Sequence, residues 1–394
     1  MKLIRTCLRR VLILTDSSLS VAKHTSVIGW KTFGHTGAIR LLTKSFEANR
    51  LAHAYLITGP EKVGKRTLAL DMACMVNTEP VADMFGQSAD IDLSRSHQAE
   101  RIRAGIHSDV EVIDPATELP ASPTPKRTAV SKTTISIDHI RQIVISGSST
   151  KPFEGMKKVF ILDGAHRMVR EAETSLLKIL EEAPDHVLIV LTSPTAEALS
   201  QTVVSRCQLL ELRPVEPQVI ESKLIEQYKA DEAHARLLSR LARGSPGWAI
   251  DAINDPTIID AHNQAILRFA EIVTGSIEFR FRYARQTAGQ FWRDRMAVFY
   301  EIERWIEWWR DVAMMRHKLI DNIINVEWVD LFSEIATEIT EEQISAAVTA
   351  IENARHALEA NAVPQLTLEV MMLDLPWADP AKIPSLNLES GDGS

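Results

Sequence analysis

Three cysteines are all the chain has, Cys7, Cys74 and Cys207, and no two of them stand at a spacing that binds a metal or cycles through a disulfide. That excludes zinc ribbons and thiol redox chemistry, and a reducing interior is the simple reading. Net positive charge is missing too: 44 Lys and Arg stand against 52 Asp and Glu, a formal charge of -8. A protein that grips nucleic acid by bulk attraction needs clustered cations, so any contact with DNA must be local or shared with partners. Long apolar runs are also lacking. The run Val11–Leu14 is too short for a secretory core or a membrane span. The opening residues, MKLIRTCLRRVLILTDSSLSVAK, are basic, contain serine and are poor in acid, which leaves two readings for residues 1–30: an organellar signal or a stray extension outside the packed domains.

What is present is ordinary globular composition, 45% hydrophobic and 24% charged over 394 residues, enough for two or three domains with cores of their own. From Gly34 to Leu212 strands and helices alternate. AYLITG (54–59), KVFILD (158–163) and HVLIVLTS (186–193) are near-continuous apolar runs, and DVEVID (109–114) reads as a further strand. Helical sequence between them predicts a parallel sheet covered on both faces. The segment from Ile135 to Val144 predicts a helix capped by Asp138, and residues 115–134, rich in Pro, Ser, Thr and Lys, predict a solvent loop or insertion. Pro214 and Pro217 close this block, and helices follow. Trp292, Met296, Phe299, Ile302, Ile306 and Trp309 recur at intervals of three and four, the spacing of a bundle core. The last residues, SLNLESGDGS, carry too little apolar content to pack.

The stretch ITGPEKVGKRTLAL, behind the first strand, almost matches a phosphate-binding loop. Gly59 and Gly64 would let backbone N–H groups approach phosphate oxygens, and Lys65 would neutralise charge. The position that should hold the Mg²⁺-binding hydroxyl is Arg66, which has no lone pair for a metal. Thr67 follows, about 100° further round a helix. A second site closes the strand KVFILD: an Asp there helps hold Mg²⁺ in P-loop ATPases and an adjacent acid prepares the attacking water. Asp163 is present, with a strand-end cap as the plain alternative, but its neighbour is Gly164. Losing a positioned base costs a factor of roughly 10² to 10⁴, so efficient turnover is not expected. No pair of metal-binding acids of polymerase type is evident, so any polymerase label would belong to an assembly.

The run from Asp163 to Gln208, DGAHRMVREAETSLLKILEEAPDHVLIVLTSPTAEALSQTVVSRCQ, is similar to a segment of the bacterial clamp-loader subunits of the AAA+ class, in particular the delta-prime branch. FGH (33–35), RLAHAYLITGP (50–60), HSD (107–109) and KPFEGMKKVFIL (151–162) follow the same pattern in the same order, and the resemblance covers roughly residues 33–250. It implies that Arg206, in SRC, reaches across a subunit boundary to ATP held by a neighbour, a task suited to a planar, permanently charged guanidinium. It places Thr192, or equally Ser193, at the polar sensor position. Two departures matter. The interval 77–109 has none of the four cysteines that motor subunits use for zinc, and GSPGW puts Gly247 where motor subunits carry a nucleotide-sensing Arg.

The resemblance implies an α/β P-loop domain with a parallel sheet (31–212), a small helical lid domain (213–256), an all-helical collar domain for oligomerisation (257–380) and a tail (381–394). The function it implies is an ATP-inactive, cytoplasmic bacterial subunit that presents Arg206 in trans while a sliding clamp is loaded on primed DNA. Its partners would be motor subunits of gamma/tau type and a delta subunit, with clamp and primer-template DNA reached through the complex. Gly59, Gly64, Lys65, Thr67, Asp163 and Thr192 would form a relic nucleotide site. No cofactor and no zinc are expected to be required, ATP binding stays open, and hydrolysis is not expected. Two other readings remain: an active motor ATPase of the same loader, and a nucleotide-responsive adaptor outside replication, since fold alone does not fix function.

Overall fold

The computed structural model describes residues 27–79, 81–82, 89–118 and 133–386. The readings above for residues 1–26, for the centre of the 115–134 stretch and for 387–394 lie outside the described residues. Backbone packing divides the chain into two units, Met1–Gly59 with Lys65–Leu212, and Pro60–Gly64 with Arg213–Ser394.

The first unit is built on a five-stranded sheet of β1 (Ala54–Thr58), β2 (Val110–Ile113), β3 (Lys158–Leu162), β4 (Val187–Ser193) and β5 (Gln208–Glu211). The spatial order is β2-β3-β4-β1-β5, and every pairing is parallel. β1 and β4 are buried along their whole length, as continuous apolar runs in a sheet covered on both faces must be. β5 was not foreseen. It is an edge strand in which only Leu210 is buried, so QLLE lacks the apolar run that marks β1, β3 and β4.

Two helices position the functional end of this sheet. Helix α1 (Lys65–Asn77) leaves the loop after β1, and α2 (Arg170–Glu181) lies between β3 and β4 in sequence. The apolar stripe Ala172, Leu176, Ile179 and Leu180 of α2 faces the core, while Glu171 and Glu173 favour its positive N-terminal end. A short helix α3 (Gln201–Val204) precedes β5. The register Ile113↔Leu162, Leu162↔Leu191 and Ile57↔Thr192 then gathers the residues at the carboxyl ends of four strands, Asp114, Asp163, Thr192 and Gly59, at one edge. The helix expected over 135–144 begins at Ile137, and its cap is Ser136 rather than Asp138: the Ser136 N–H donates to His139 Nδ1 at 3.0 Å. Its middle, Ile140–Ile145, is wound as a π-helix.

The HSD and KPFEGMKK motifs meet in one clamp. The Asp109 carboxylate accepts the N–H groups of Phe153, Glu154 and Gly155, each at 2.8 Å. Asn77 Oδ1 accepts those of Met156 and Lys157 at 2.9 and 2.8 Å. Glu154 pairs with Arg101 and accepts from Ser108 Oγ at 2.9 Å.

In the second unit α4 (Pro217–Tyr228), α5 (Glu232–Leu241) and α6 (Pro246–Asn254) pack on one another. There follow α7 (Thr257–Thr274), α8 (Ile277–Phe291), α9 (Arg295–Arg316), α10 (Val329–Glu338), α11 (Glu341–Glu359) and α12 (Pro364–Asp374). The stripe on α9 does line a core: Ile302 and Trp309 are buried together with Trp305 and Trp308, and Phe269 stacks on Trp305 at 4.2 Å between ring centroids. Trp292 departs from it at 77% exposure, because α8 ends at Phe291 and Trp292 falls on the turn before α9. Among the described residues no helix is long and apolar enough to cross a membrane.

Candidate functional site

The loop after β1 keeps the backbone geometry its glycines suggested. Gly59 has φ +143°, and a Cβ there would come within 2.4 Å of the Leu212 carbonyl oxygen. Gly64 has φ +114°, so both positions need the conformational freedom of glycine. Lys65 opens α1 and turns its ammonium back onto the loop, donating to Gly59 O at 2.6 Å.

Arg66 does what the sequence did not reveal. Its Nη1 lies 3.3 Å from Asp163 Oδ2 and 3.9 Å from Asp114 Oδ2. The other oxygen of each carboxylate is held by a threonine: Thr192 Oγ1 donates to Asp163 Oδ1 at 2.7 Å, and Thr117 Oγ1 donates to Asp114 Oδ1 at 3.0 Å. Thr192 Oγ1 also accepts the Gly164 N–H at 2.9 Å. Of the two sensor candidates, then, Thr192 joins the cluster. Ser193 donates instead to the carbonyl of Thr195 at 2.7 Å and stays within its own turn.

Gly164 stands where a neighbouring acid would be. Its φ is +77°, while the space around it is open, the nearest atom to an added Cβ being Arg167 Cδ at 3.7 Å. Backbone sign, not crowding, favours glycine here. His166, two residues on, is neutral: burial, then Arg167 and Lys65, push its pKa down to about 4.

Gly247 belongs to the second unit, as do loop residues 60–64. It sits at the start of α6, and its N–H donates to the Lys62 carbonyl at 2.9 Å. A Cβ at 247 would lie 2.9 Å from that same oxygen. Ser245 Oγ donates to Glu61 O at 2.9 Å, and Lys62 pairs with Asp251 at 2.7 Å. The position expected for a sensing Arg is thus filled by a backbone-to-backbone approach.

Arg206 stands apart from this cluster. Its Nε and Nη2 donate to Glu181 Oε1 at 2.9 and 2.5 Å, and its Nη1 donates to Thr202 O at 2.9 Å. Glu181 ends α2 and Thr202 lies in α3, so two helices hold the guanidinium at a half-exposed position. The next residue, Cys207, has its thiol pushed up to about 12 by burial and is no nucleophile.

A family model described as "DNA polymerase III, delta subunit" matches residues 34–216, and DNA polymerase III subunit delta' of Bacillus subtilis is 25% identical over 353 residues, covering 88% of this chain and 98% of that protein. Both are similarities to clamp-loader subunits of DNA polymerase III, and the family match lies within the first unit and the few residues after it. The tau subunit of Escherichia coli is 28% identical over 250 residues, which is 62% of this chain but 35% of the tau protein, so the chain spans about a third of that relative. Among solved structures, a DNA polymerase III gamma subunit-related protein from Thermotoga maritima superposes with a TM-score of 0.40 at 16% identity, covering 86% of this chain and 97% of that one.

The structure brings together Arg66, Asp163 and Thr192, and adds two residues that sequence reasoning passed over. Asp114 was visible as the acid ending DVEVID, where a strand end in an open parallel sheet points to the ligand side. Glu181 was visible only as one of two acids in LEEA; nothing in the sequence tells which of them faces Arg206.

Proposed function

We propose that this chain is the delta-prime type of clamp-loader subunit: a member of a hetero-oligomer that does not itself hydrolyse ATP and supplies Arg206 to ATP held by a neighbouring motor subunit. Its partners would be gamma/tau-type and delta subunits, with the sliding clamp and primer-template DNA engaged through the complex, in the bacterial cytoplasm. The observation that carries the ATP-inactive half is the ion pair of Arg66 with Asp163. It places a fixed side-chain cation on the acid that a hydrolytic site would use to hold its metal. Gly164 leaves no acid beside it, and Gly247 leaves no room for a sensing Arg.

The trans-acting half is supported by Arg206 itself. It is half-exposed, fixed by two helices, and shares no hydrogen-bond partner with the loop cluster. An Arg that serves its own nucleotide would be expected within that cluster; one that serves a neighbour belongs at the surface. The test is reconstitution with motor subunits and clamp, comparing wild type with Arg206→Ala. Intact assembly with clamp-stimulated hydrolysis lost at the adjacent site is expected, and an unchanged rate would reject the role. Turnover of Mg²⁺-ATP by the isolated chain, abolished by Lys65→Ala, would instead make it a motor.

A further inference from the structure

We propose that Arg66 is a tethered counter-cation that takes the seat of a divalent metal between Asp163 and Asp114, so that the loop site of this chain is independent of Mg²⁺. The inference rests on the reading of the loop as one that does not hydrolyse ATP, and adds how the metal's structural duty is met.

The position is the first ground. Arg66 is the residue at which the phosphate-loop pattern asks for a metal-binding hydroxyl, and Asp163 is the strand-end acid that would share that metal. The second ground is preparation on the acid side. The paired strands β2 and β3 run in parallel with Ile113 opposite Leu162, so Asp114 and Asp163 emerge side by side at a spacing of about 5 Å between strands. Two carboxylates so placed repel, and each is oriented by a threonine hydroxyl on one oxygen, leaving the other turned to the same Nη1 of Arg66. An incidental surface pair needs no such orientation.

The third ground is the fit of a metal. Mg²⁺ requires oxygens at about 2.0–2.1 Å in a near-octahedral shell. Here the guanidinium, a donor with no lone pair, lies against Asp163 Oδ2, and a metal brought to that oxygen would meet a like charge. Among the described residues no group of three or more His, Cys, Asp or Glu side chains is placed to hold a metal ion, so no third acid or imidazole joins these two carboxylates. The residues present do not fit the metal; they fit the guanidinium.

The test uses the full chain alone, with Mn²⁺ binding followed by electron paramagnetic resonance and the thermal midpoint followed with and without Mg²⁺ at matched ionic strength. Wild type and Arg66→Lys, which keeps the charge, are expected to show no saturable Mn²⁺ binding below about 1 mM and no Mg²⁺-specific change in midpoint. Arg66→Ala is expected to bind Mn²⁺ at least about tenfold more tightly and to gain a Mg²⁺-dependent rise in midpoint, both abolished by adding Asp163→Asn. Arg66→Gln, which keeps the apolar stem, is the second variant should the alanine form fail to fold. Saturable binding by wild type as tight as by either variant, or a folded variant with no gain in metal response, overturns the proposal. No neighbour subunit is present in this experiment, so its failure leaves the role of Arg206 standing, and a silent Arg206→Ala in the assembly leaves this inference standing.

Discussion

Glu181 Oε1 receives two N–H groups of Arg206, from Nε at 2.9 Å and from Nη2 at 2.5 Å, and so fixes the direction of the guanidinium fork. The pair is half-exposed, and its contribution to stability is small by the usual measure of surface ion pairs, about 0–1 kcal/mol. Its effect should lie in positioning. In the reconstituted assembly Glu181→Ala is expected to lower clamp-stimulated hydrolysis by about 3- to 30-fold, against roughly 10³-fold or more for Arg206→Ala. The stability of the isolated chain should barely move. An equal loss in the two variants would mean that Glu181 does more than orient its partner.

Gly164 combines open space with a left-handed backbone, and the two can be separated by mutation. Gly164→Ala adds a Cβ whose nearest neighbour is 3.7 Å away, so no clash is created. The φ of +77° remains, at a cost of about 1–2 kcal/mol for any L side chain. Denaturant unfolding followed by a probe in the first unit should show that loss. Gly164→Glu should show a similar one and restore no hydrolysis, because Arg66 still covers Asp163.

The clamp between the HSD and KPFEGMKK motifs gives a pH signature. Glu154 is held down to about 2 from an ordinary 4.5, first by the Arg101 guanidinium and then by the N–H and hydroxyl of Ser108. A carboxylate depressed in the folded state contributes stability that is fully present above 4.5 and is lost as the pH falls towards 2. Glu154→Gln should therefore destabilise the chain more at pH about 7 than at pH about 3. Thermal melts of the two proteins across that range check it. A difference that is constant with pH would mean that the carboxylate charge is not what ties Arg101 to the 153–157 turn.

How far the sequence carried the reading can be seen strand by strand. β1, β3 and β4 were legible because continuous apolar runs are required of strands buried on both faces, and β2, the other edge strand, from its short alternating VEVI pattern. β5 was not, because an edge strand of four residues with one buried side chain has no such signature. The glycines at 59 and 64 marked the turn between β1 and α1, and Asp163 the strand end that Arg66 meets there. That Arg66 would bridge to Asp163 and Asp114 depended on strand register, a pairing between segments that lie about fifty and nearly a hundred residues along the chain from the loop. Ser136 displaced Asp138 as a helix cap for a similar reason: the reciprocal bond from His139 decides the start, and its side chain counts only once the turn has formed. The tryptophan stripe was right for Trp309 and wrong for Trp292, since periodicity does not say where a helix stops.

The second unit offers a sharper stability test in Arg280. This buried side chain donates from Nε to Ile272 O, from Nη1 to Met372 O and Leu375 O, and from Nη2 to Val273 O and Pro376 O. Those carbonyls lie at the C-terminal ends of α7 and α12, where helices leave acceptors unpaired and carry partial negative charge. One guanidinium therefore closes two helix ends that are about a hundred residues apart in sequence. Burial pulls its pKa down, but a buried Arg stays charged and its five acceptors offset the loss of water. Arg280→Met keeps much of the stem and removes every donor. It is expected to cost about 2–4 kcal/mol, since several buried carbonyls lose their partners at once. Arg280→Lys, with a single nitrogen to reach acceptors on both helices, should recover only part of that. Hydrogen exchange resolves the mechanism: protection should fall first in the last turns of α7 and α12, and uniform loss across all the helices of the second unit would refute the capping role.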